Sequence, residues 1–281
     1  FSNFKKNEFY ITSLPWDKLY CQMPQIIISL LKDLISLISF FTVCCFWKNR
    51  RVVLVYHSVD NLPFGADKNK INVTPRLFKE QMAYLMRHPG RALVSFDDGF
   101  ESVYINAFPE IFRDHIPAIL FVTTDFIDRK ISFDNFFVNC NPCALTWEEI
   151  NVMRQSGIEI GSHGQTHLFM SSLDYGRLVE EFAFSKKRIE EMTNSTLESF
   201  SYPFGNTGSF DQLTEKTARE TGYKKTYTNL MGTLPLSSDN YLLPRIRIYP
   251  EDNLFRFKLK VAGAYNWVDV LGRFLRPMTC F

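Results

Sequence analysis

The sequence predicts an α/β fold built on a parallel sheet. Three observations carry this. After Arg51, short β-branched runs alternate with amphipathic helical stretches about seven times. Chemistry-bearing polar residues gather at the ends of several runs, where parallel α/β folds keep their functional groups. No internal repeat or low-complexity linker interrupts residues 51–250, which therefore read as one domain. A closed or nearly closed β/α barrel accommodates that strand count, and a doubly wound open sheet is the alternative.

The strand runs are VVLVYH (52–57), ALVSFD (92–97), PAILFVTT (117–124), IEIGSH (158–163), ESFSYP (198–203), KKTYTN (224–229) and PRIRIY (244–249). Between them, TPRLFKEQMAYLMRH and LDYGRLVEEFAFSKKRIEEMT are amphipathic at helical spacing. In the second, Leu178, Phe182, Ser185 and Ile189 share a face, and Glu and Lys cover the other. In LTWEEINVMRQSG, Thr146 is the N-cap of a capping box with Glu149, and Gly157 stops the helix.

Ahead of the domain, residues 1–50 contain an apolar run from Met23 to Trp47 and no secretory leader pattern. Its length suits a membrane span, for which about 20 apolar residues suffice. Lys32 and Asp33 interrupt it, however, and with Ser29, Ser36, Ser39 and Thr42 they draw a polar stripe along one face. That predicts a hydrophobic helix lying in a membrane interface, or packed under the domain, rather than a free span. Lys48, Arg50 and Arg51 follow and suit lipid phosphates. Contact of residues 23–51 with a membrane surface is expected, on the cytoplasmic face or in the cell envelope. Residues 251–281 read as a basic, aromatic helical tail packing on the domain.

Bulk properties exclude several classes. An apolar fraction of 46% and 27 Phe supply a large core and exclude disorder. A net charge of +2 makes no case for nucleic acid. The six cysteines have no regular spacing, and no second Cys/His pair follows Cys140 and Cys143, so neither a disulfide scaffold nor a zinc finger is expected.

The strand ends hold the chemistry. VVLVYH ends in His57, ALVSFD runs into Asp97, Asp98 and Gly99, and IEIGSH ends in His163 with His167 four residues on. ESFSYP leads into Phe204 and Gly205, and the last run carries Arg245 and Arg247. Two imidazoles at i and i+4 meet at one point if the segment turns helically. With an aspartate they form a three-ligand set for Zn²⁺ or a similar divalent ion, leaving a position open for water. The other aspartate is then free to act as a general base. An H-E-x-x-H protease is excluded because Gly164 follows His163. No Gly-rich phosphate loop and no G-x-S-x-G elbow is present.

VSFDDGF, EIGSHGQTH and FSYPFG, in that order, resemble the polysaccharide deacetylases with a NodB-type domain, the fourth carbohydrate esterase family. The resemblance covers about Val52 to Tyr249. It implies a distorted (β/α)7 barrel and metal-dependent removal of acetyl groups, N-acetyl in the first place, from a polysaccharide or glycan. By position it implies Asp97 as general base, with Asp98, His163 and His167 as ligands of a divalent metal, Zn²⁺ before others. The Phe204 N–H would be the oxyanion donor, and Tyr202, Pro203 and Gly205 would line the substrate site.

Departures matter too. Gly164 stands where the family often has a hydroxyl residue, and Ser201 and Tyr202 stand where many members carry an Arg that steadies the base. Arg245 is the candidate substitute. No His follows His167, so the usual late general-acid His is absent. The early LVYHS resembles a permuted subset in which His57 takes that role. The rival expectations are a catalytically weak glycan-binding protein on the same fold and a metal-dependent amidase acting on a non-sugar substrate.

Overall fold

The structure is a computed structural model and describes residues 25–43, 51–234 and 241–267. Its strands are β1 (Val52–Tyr56), β2 (Ser58–Val59), β3 (Asn72–Val73), β4 (Ala92–Phe96) and β5 (Ala118–Val122). They continue with β6 (Glu159–Ser162), β7 (Ser199–Ser201), β8 (Lys225–Tyr227), β9 (Leu242–Leu243) and β10 (Ile246–Arg247). The helices are α1 (Gln25–Val43), α2 (Pro75–Met86), α3 (Phe108–Arg113), α4 (Thr124–Ile127) and α5 (Trp147–Gln155), then α6 (Tyr175–Thr193), α7 (Gln212–Glu220) and α8 (Leu254–Val261). All seven predicted runs form strands. The short β2–β3 ladder is an addition that the sequence pattern does not announce.

The main sheet is parallel throughout, in the order β10-β1-β4-β5-β6-β7-β8-β9. Its two edge strands, β9 and β10, are consecutive in the chain and separated only by Pro244 and Arg245. The sheet therefore curls until that dipeptide joins its edges. The last strand is split in two, β9 just ahead of the predicted run 244–249 and β10 within it: β9 pairs with β8 and β10 with β1. Pro244 explains the break, because it has no N–H to donate to a ladder. Counted this way, the eight strands are a distorted (β/α)7 barrel, and the doubly wound alternative is excluded.

Residue parity sorts the strands into two faces. Val52, Leu54, Tyr56, Val94, Phe96, Leu120 and Phe200 join the large core under the helices. Val53, Ile119, Phe121 and Tyr227 form a separate small cluster, with Leu93 and Leu243 packed on it, which fills the barrel interior. Gly161 is required there, since a Cβ would lie 2.4 Å from the Phe121 ring. Following each inward row toward the C-terminal end, apolar residues give way to His57, Asp97, His163, Ser201, Asn229 and Arg245. The fold thus gathers its inward polar groups at one mouth, over an apolar floor.

The helices follow their predicted caps. Thr146 and Glu149 make the reciprocal capping box of α5. In α6, Leu178, Phe182, Ser185 and Ile189 are buried as expected, but Glu181 is buried with them. The N-terminal run forms α1, and among the described residues no helix is long and apolar enough to cross a membrane. Its polar stripe turns toward the domain: Asp33 accepts from Arg256 Nε of α8 at 2.9 Å and from the Tyr265 hydroxyl, and Ser36 accepts from Trp267 Nε1 at 2.9 Å. Ile27, Leu30, Leu31, Leu34, Ile35 and Ile38 are left on the outer face. In the tail region, α8 packs on α1 and α2, while residues 268–281 lie outside the described residues.

Candidate active site

Asp97 ends the inward row of β4 and is fully buried. Arg245, also fully buried, meets it with two parallel bonds, Nη1 to Oδ1 and Nη2 to Oδ2, each 2.7 Å. The remaining guanidinium donors go to Ser95 Oγ (3.2 Å), Ser201 Oγ (2.7 Å), Asn229 Oδ1 (3.0 Å) and the Thr228 carbonyl (3.1 Å). Such a fully paired fork is the arrangement in which a buried ion pair is tolerated. Burial alone would raise the Asp97 pKa. The Arg245 charge, with His163 behind it, outweighs that and holds the carboxyl well below the usual carboxylate range. Ser201, in the place where a steadying Arg is often found, is small and leaves room for a guanidinium arriving from the seam.

Asp98 should point away from the interior by parity. Instead its backbone adopts a left-handed φ of 73° and Gly99 follows at 96°, which swings the carboxylate back over the mouth. There Asp98 Oδ1 lies 3.5 Å from His163 Nε2 and 3.4 Å from His167 Nε2. The two imidazoles do not converge through a helical turn, as the spacing suggested. Residues 163–167 form a loop with Gly164 at φ 86° and His167 at φ 60°. The loop is held by Glu181, whose Oε2 accepts the Gln165 N–H (2.9 Å) and the Thr166 N–H (3.0 Å), while Oε1 accepts the Thr166 hydroxyl.

The donor set fits a divalent cation. Both Asp98 carboxylate oxygens are buried without a hydrogen-bond partner, a costly state unless something positive sits there. Asp98, His163 and His167 each offer a ligand atom within 4.8 Å of the others. Tetrahedral ligands at about 2.0–2.2 Å from zinc stand about 3.4 Å apart, which matches the two measured separations. His163 Nδ1 faces the Ser201 carbonyl at 2.8 Å, an acceptor that fixes the ring and leaves Nε2 as the ligating atom.

Around this set, the structure places the other predicted residues unevenly. His57, half-buried at the end of β1, is close enough for Asp98 and Asp97 to act on its charge. Burial nevertheless dominates and pushes its pKa down to about 4. Phe204 is 47% exposed, at a left-handed φ of 62°, with its ring 4.9 Å from that of His167 and 5.6 Å from that of Phe169. The Phe204 N–H meets no acceptor among the described residues. Tyr202 does not line the mouth: its parity turns it outward, and it is fully buried, stacked on Phe210 at 4.8 Å. Pro203 and Gly205 are buried supports of the Phe204 turn. Trp147 is a core residue whose Nε1 donates to Asp128 at 2.8 Å. Sequence reasoning missed Glu181 and Asn229. Asn229 at least carried a signal, as the polar last residue of a strand run.

Comparison with known proteins decides the family. The family model for polysaccharide deacetylases matches residues 87–226. These residues form a polysaccharide deacetylase domain. The match stops short of β1 and the split strand, which supply His57 and Arg245. In the Bacillus subtilis (strain 168) protein named "Putative polysaccharide deacetylase YxkH", 158 residues are 30% identical, covering 56% of this chain. The chain spans about half the length of that relative, 51%. The domain also superposes on the Streptococcus pyogenes deacetylase PplD with a TM-score of 0.63 at 18% identity, covering 75% of this chain and 98% of that one. IcaB from Ammonifex degensii superposes with a TM-score of 0.60 at 22% identity, covering 77% and 97%. At these identities the superpositions show the distorted barrel.

Proposed function

We propose that the chain is a metal-dependent hydrolase that removes N-acetyl groups from a polysaccharide or glycan. The observation that carries the proposal is the division of labour between adjacent aspartates: Asp97 is neutralised by Arg245, and Asp98 is left unpaired between two imidazoles. A divalent ion held by Asp98, His163 and His167 would supply Lewis-acid polarisation of water and acetyl carbonyl. Asp97, kept ionised by Arg245, takes the proton of the attacking water. The Phe204 N–H donates to the developing oxyanion, an interaction of the kind that contributes about 3 kcal/mol. As the carbon–nitrogen bond breaks, His57 hands a proton to the leaving sugar nitrogen and is replenished by the proton that Asp97 took from the water, which returns Asp97 to its ionised form. The exposed Phe204 and Phe169 rings offer apolar faces to a sugar.

The complete Asp97–Arg245 pair favours this reading over a glycan binder without activity, which has no need for a buried, fully bonded base. Acetate release from acetylated chitooligosaccharides and from small amides, with and without chelator, tests it. Chelator-sensitive release from the sugar is expected. Release from the small amides alone would establish the amidase, and release from neither would establish the binder.

The inverted amphipathicity of α1 supports a second part of the proposal, a peripheral location on a membrane. Asp33 and Ser36 of its polar stripe bond to the domain, six large apolar side chains are exposed, and the basic run Lys48–Arg51 follows in the sequence. Co-flotation with vesicles containing anionic lipid is expected, and its loss in Leu30→Glu/Leu34→Glu. Equal flotation of that variant would refute the assignment.

A further inference from the structure

Asn229 belongs neither to the candidate metal ligands nor to the base pair, yet it touches both halves of the remaining machinery. Its amide oxygen accepts from Arg245 Nη2 at 3.0 Å, and its amide nitrogen donates to the Phe204 carbonyl at 2.8 Å. Its backbone N–H donates to the Gly205 carbonyl at 2.7 Å. Arg245 can only donate and a carbonyl can only accept, so these partners fix the orientation of the amide. An amide side chain offers a cation an acceptor and a carbonyl a donor at once, on two separate atoms of one rigid plane. The fit is close, since a Cβ on Gly205 would lie 2.7 Å from the Asn229 backbone nitrogen and 3.2 Å from its side-chain amide.

The turn it grips needs holding. Phe204 is an aromatic residue in the left-handed region, exposed, with a neighbouring glycine at φ 59°. Such a backbone persists only where surrounding contacts determine it. Two hydrogen bonds from Asn229, to the Phe204 and Gly205 carbonyls, tie it to the end of β8.

We propose that Asn229 is a positioning residue that sets the Phe204 N–H relative to the Arg245–Asp97 pair. A single hydrogen-bonded frame then runs Asp97–Arg245–Asn229–Phe204 across the mouth, so that base and oxyanion donor keep one spacing. The catalytic consequence rests on the deacetylase reading; the hold on the turn does not. Because the oxyanion develops only after attack on the carbonyl and is absent from the bound substrate, the effect belongs in kcat and not in KM.

The test uses the full chain, metal-loaded, with an acetylated chitooligosaccharide, in the forms wild type, Asn229→Ala and Asn229→Asp. Crystal structures of both variants accompany the kinetics. Asn229→Asp keeps an acceptor for Arg245 and loses the donor to Phe204, which separates the two contacts. Both variants should lose about 10- to 100-fold in kcat with KM nearly unchanged. In both, the Phe204 turn should leave φ 62° while the Asp97–Arg245 pair stays intact. An unmoved turn in both structures, or a rise in KM at constant kcat, would overturn the proposal. A wild-type chain that releases no acetate would sink the deacetylase reading instead, and the turn geometry alone would then decide on Asn229.

Discussion

Arg245 shows what a single residue settles in this molecule. It closes the barrel seam, neutralises Asp97 and braces Ser201 and Asn229 with one guanidinium. Removing one member of such a buried pair leaves an uncompensated charge, at a cost of about 3–5 kcal/mol. Arg245→Ala should therefore lower the urea midpoint strongly, whereas Arg245→Met combined with Asp97→Leu should recover much of the stability and none of the activity. A double variant no more stable than Arg245→Ala would contradict this account of the pair. Glu181 makes a similar case one layer out. Glu181→Ala removes the acceptor for two N–H groups of the His163–His167 loop and should weaken metal binding by about 10-fold or more, measured by competition with a chromophoric chelator. Arg245 could be nominated from sequence because it was a cation on a strand run where a cation was missing elsewhere. Glu181 could not, because the helical pattern placed it with the solvent-facing Glu and Lys.

At the scale of elements, the strands and caps were legible and their turns were not. Seven β-branched runs became the barrel, and Thr146 with Glu149 became a capping box, because both signals are local. The left-handed conformations of Asp98, His167 and Phe204 are set by tertiary contacts, so residue spacing suggested a helical turn where there is a loop. The split of the last strand depends on which neighbours its halves find, although Pro244 marked the place. Helix α1 carries its own prediction. Burial works against the Asp33 charge, but bonds from Arg256 and Tyr265 outweigh it and lower the pKa. A depressed carboxyl contributes stability above its unfolded value, near ~4, and loses it as pH falls through the folded value. The α1 contact should thus loosen in acid, seen as a change in tryptophan emission as Trp267 is released from Ser36. Asp33→Asn should abolish that step; an identical acid transition in the variant would assign it to another group.

For the whole molecule, one continuous core joins nearly every element under the helices, and the candidate metal ligands come from the turn after β4 and the loop after β6. Binding of a cation there would therefore stabilise the entire barrel. At free metal about 100-fold above Kd the gain is about 2.7 kcal/mol, which raises the melting temperature of a domain of this size by about 5–10 °C. Chelator should remove that increment from wild type and leave Asp98→Asn unaffected. The central claim is that the two adjacent aspartates do different work, and Asp97→Asn tests it most directly when metal content and acetate release are measured on the same sample. The account predicts one divalent ion per chain, as in wild type, with acetate release reduced by about 10²- to 10⁴-fold. A metal-loaded Asp97→Asn chain that releases acetate at the wild-type rate would contradict it.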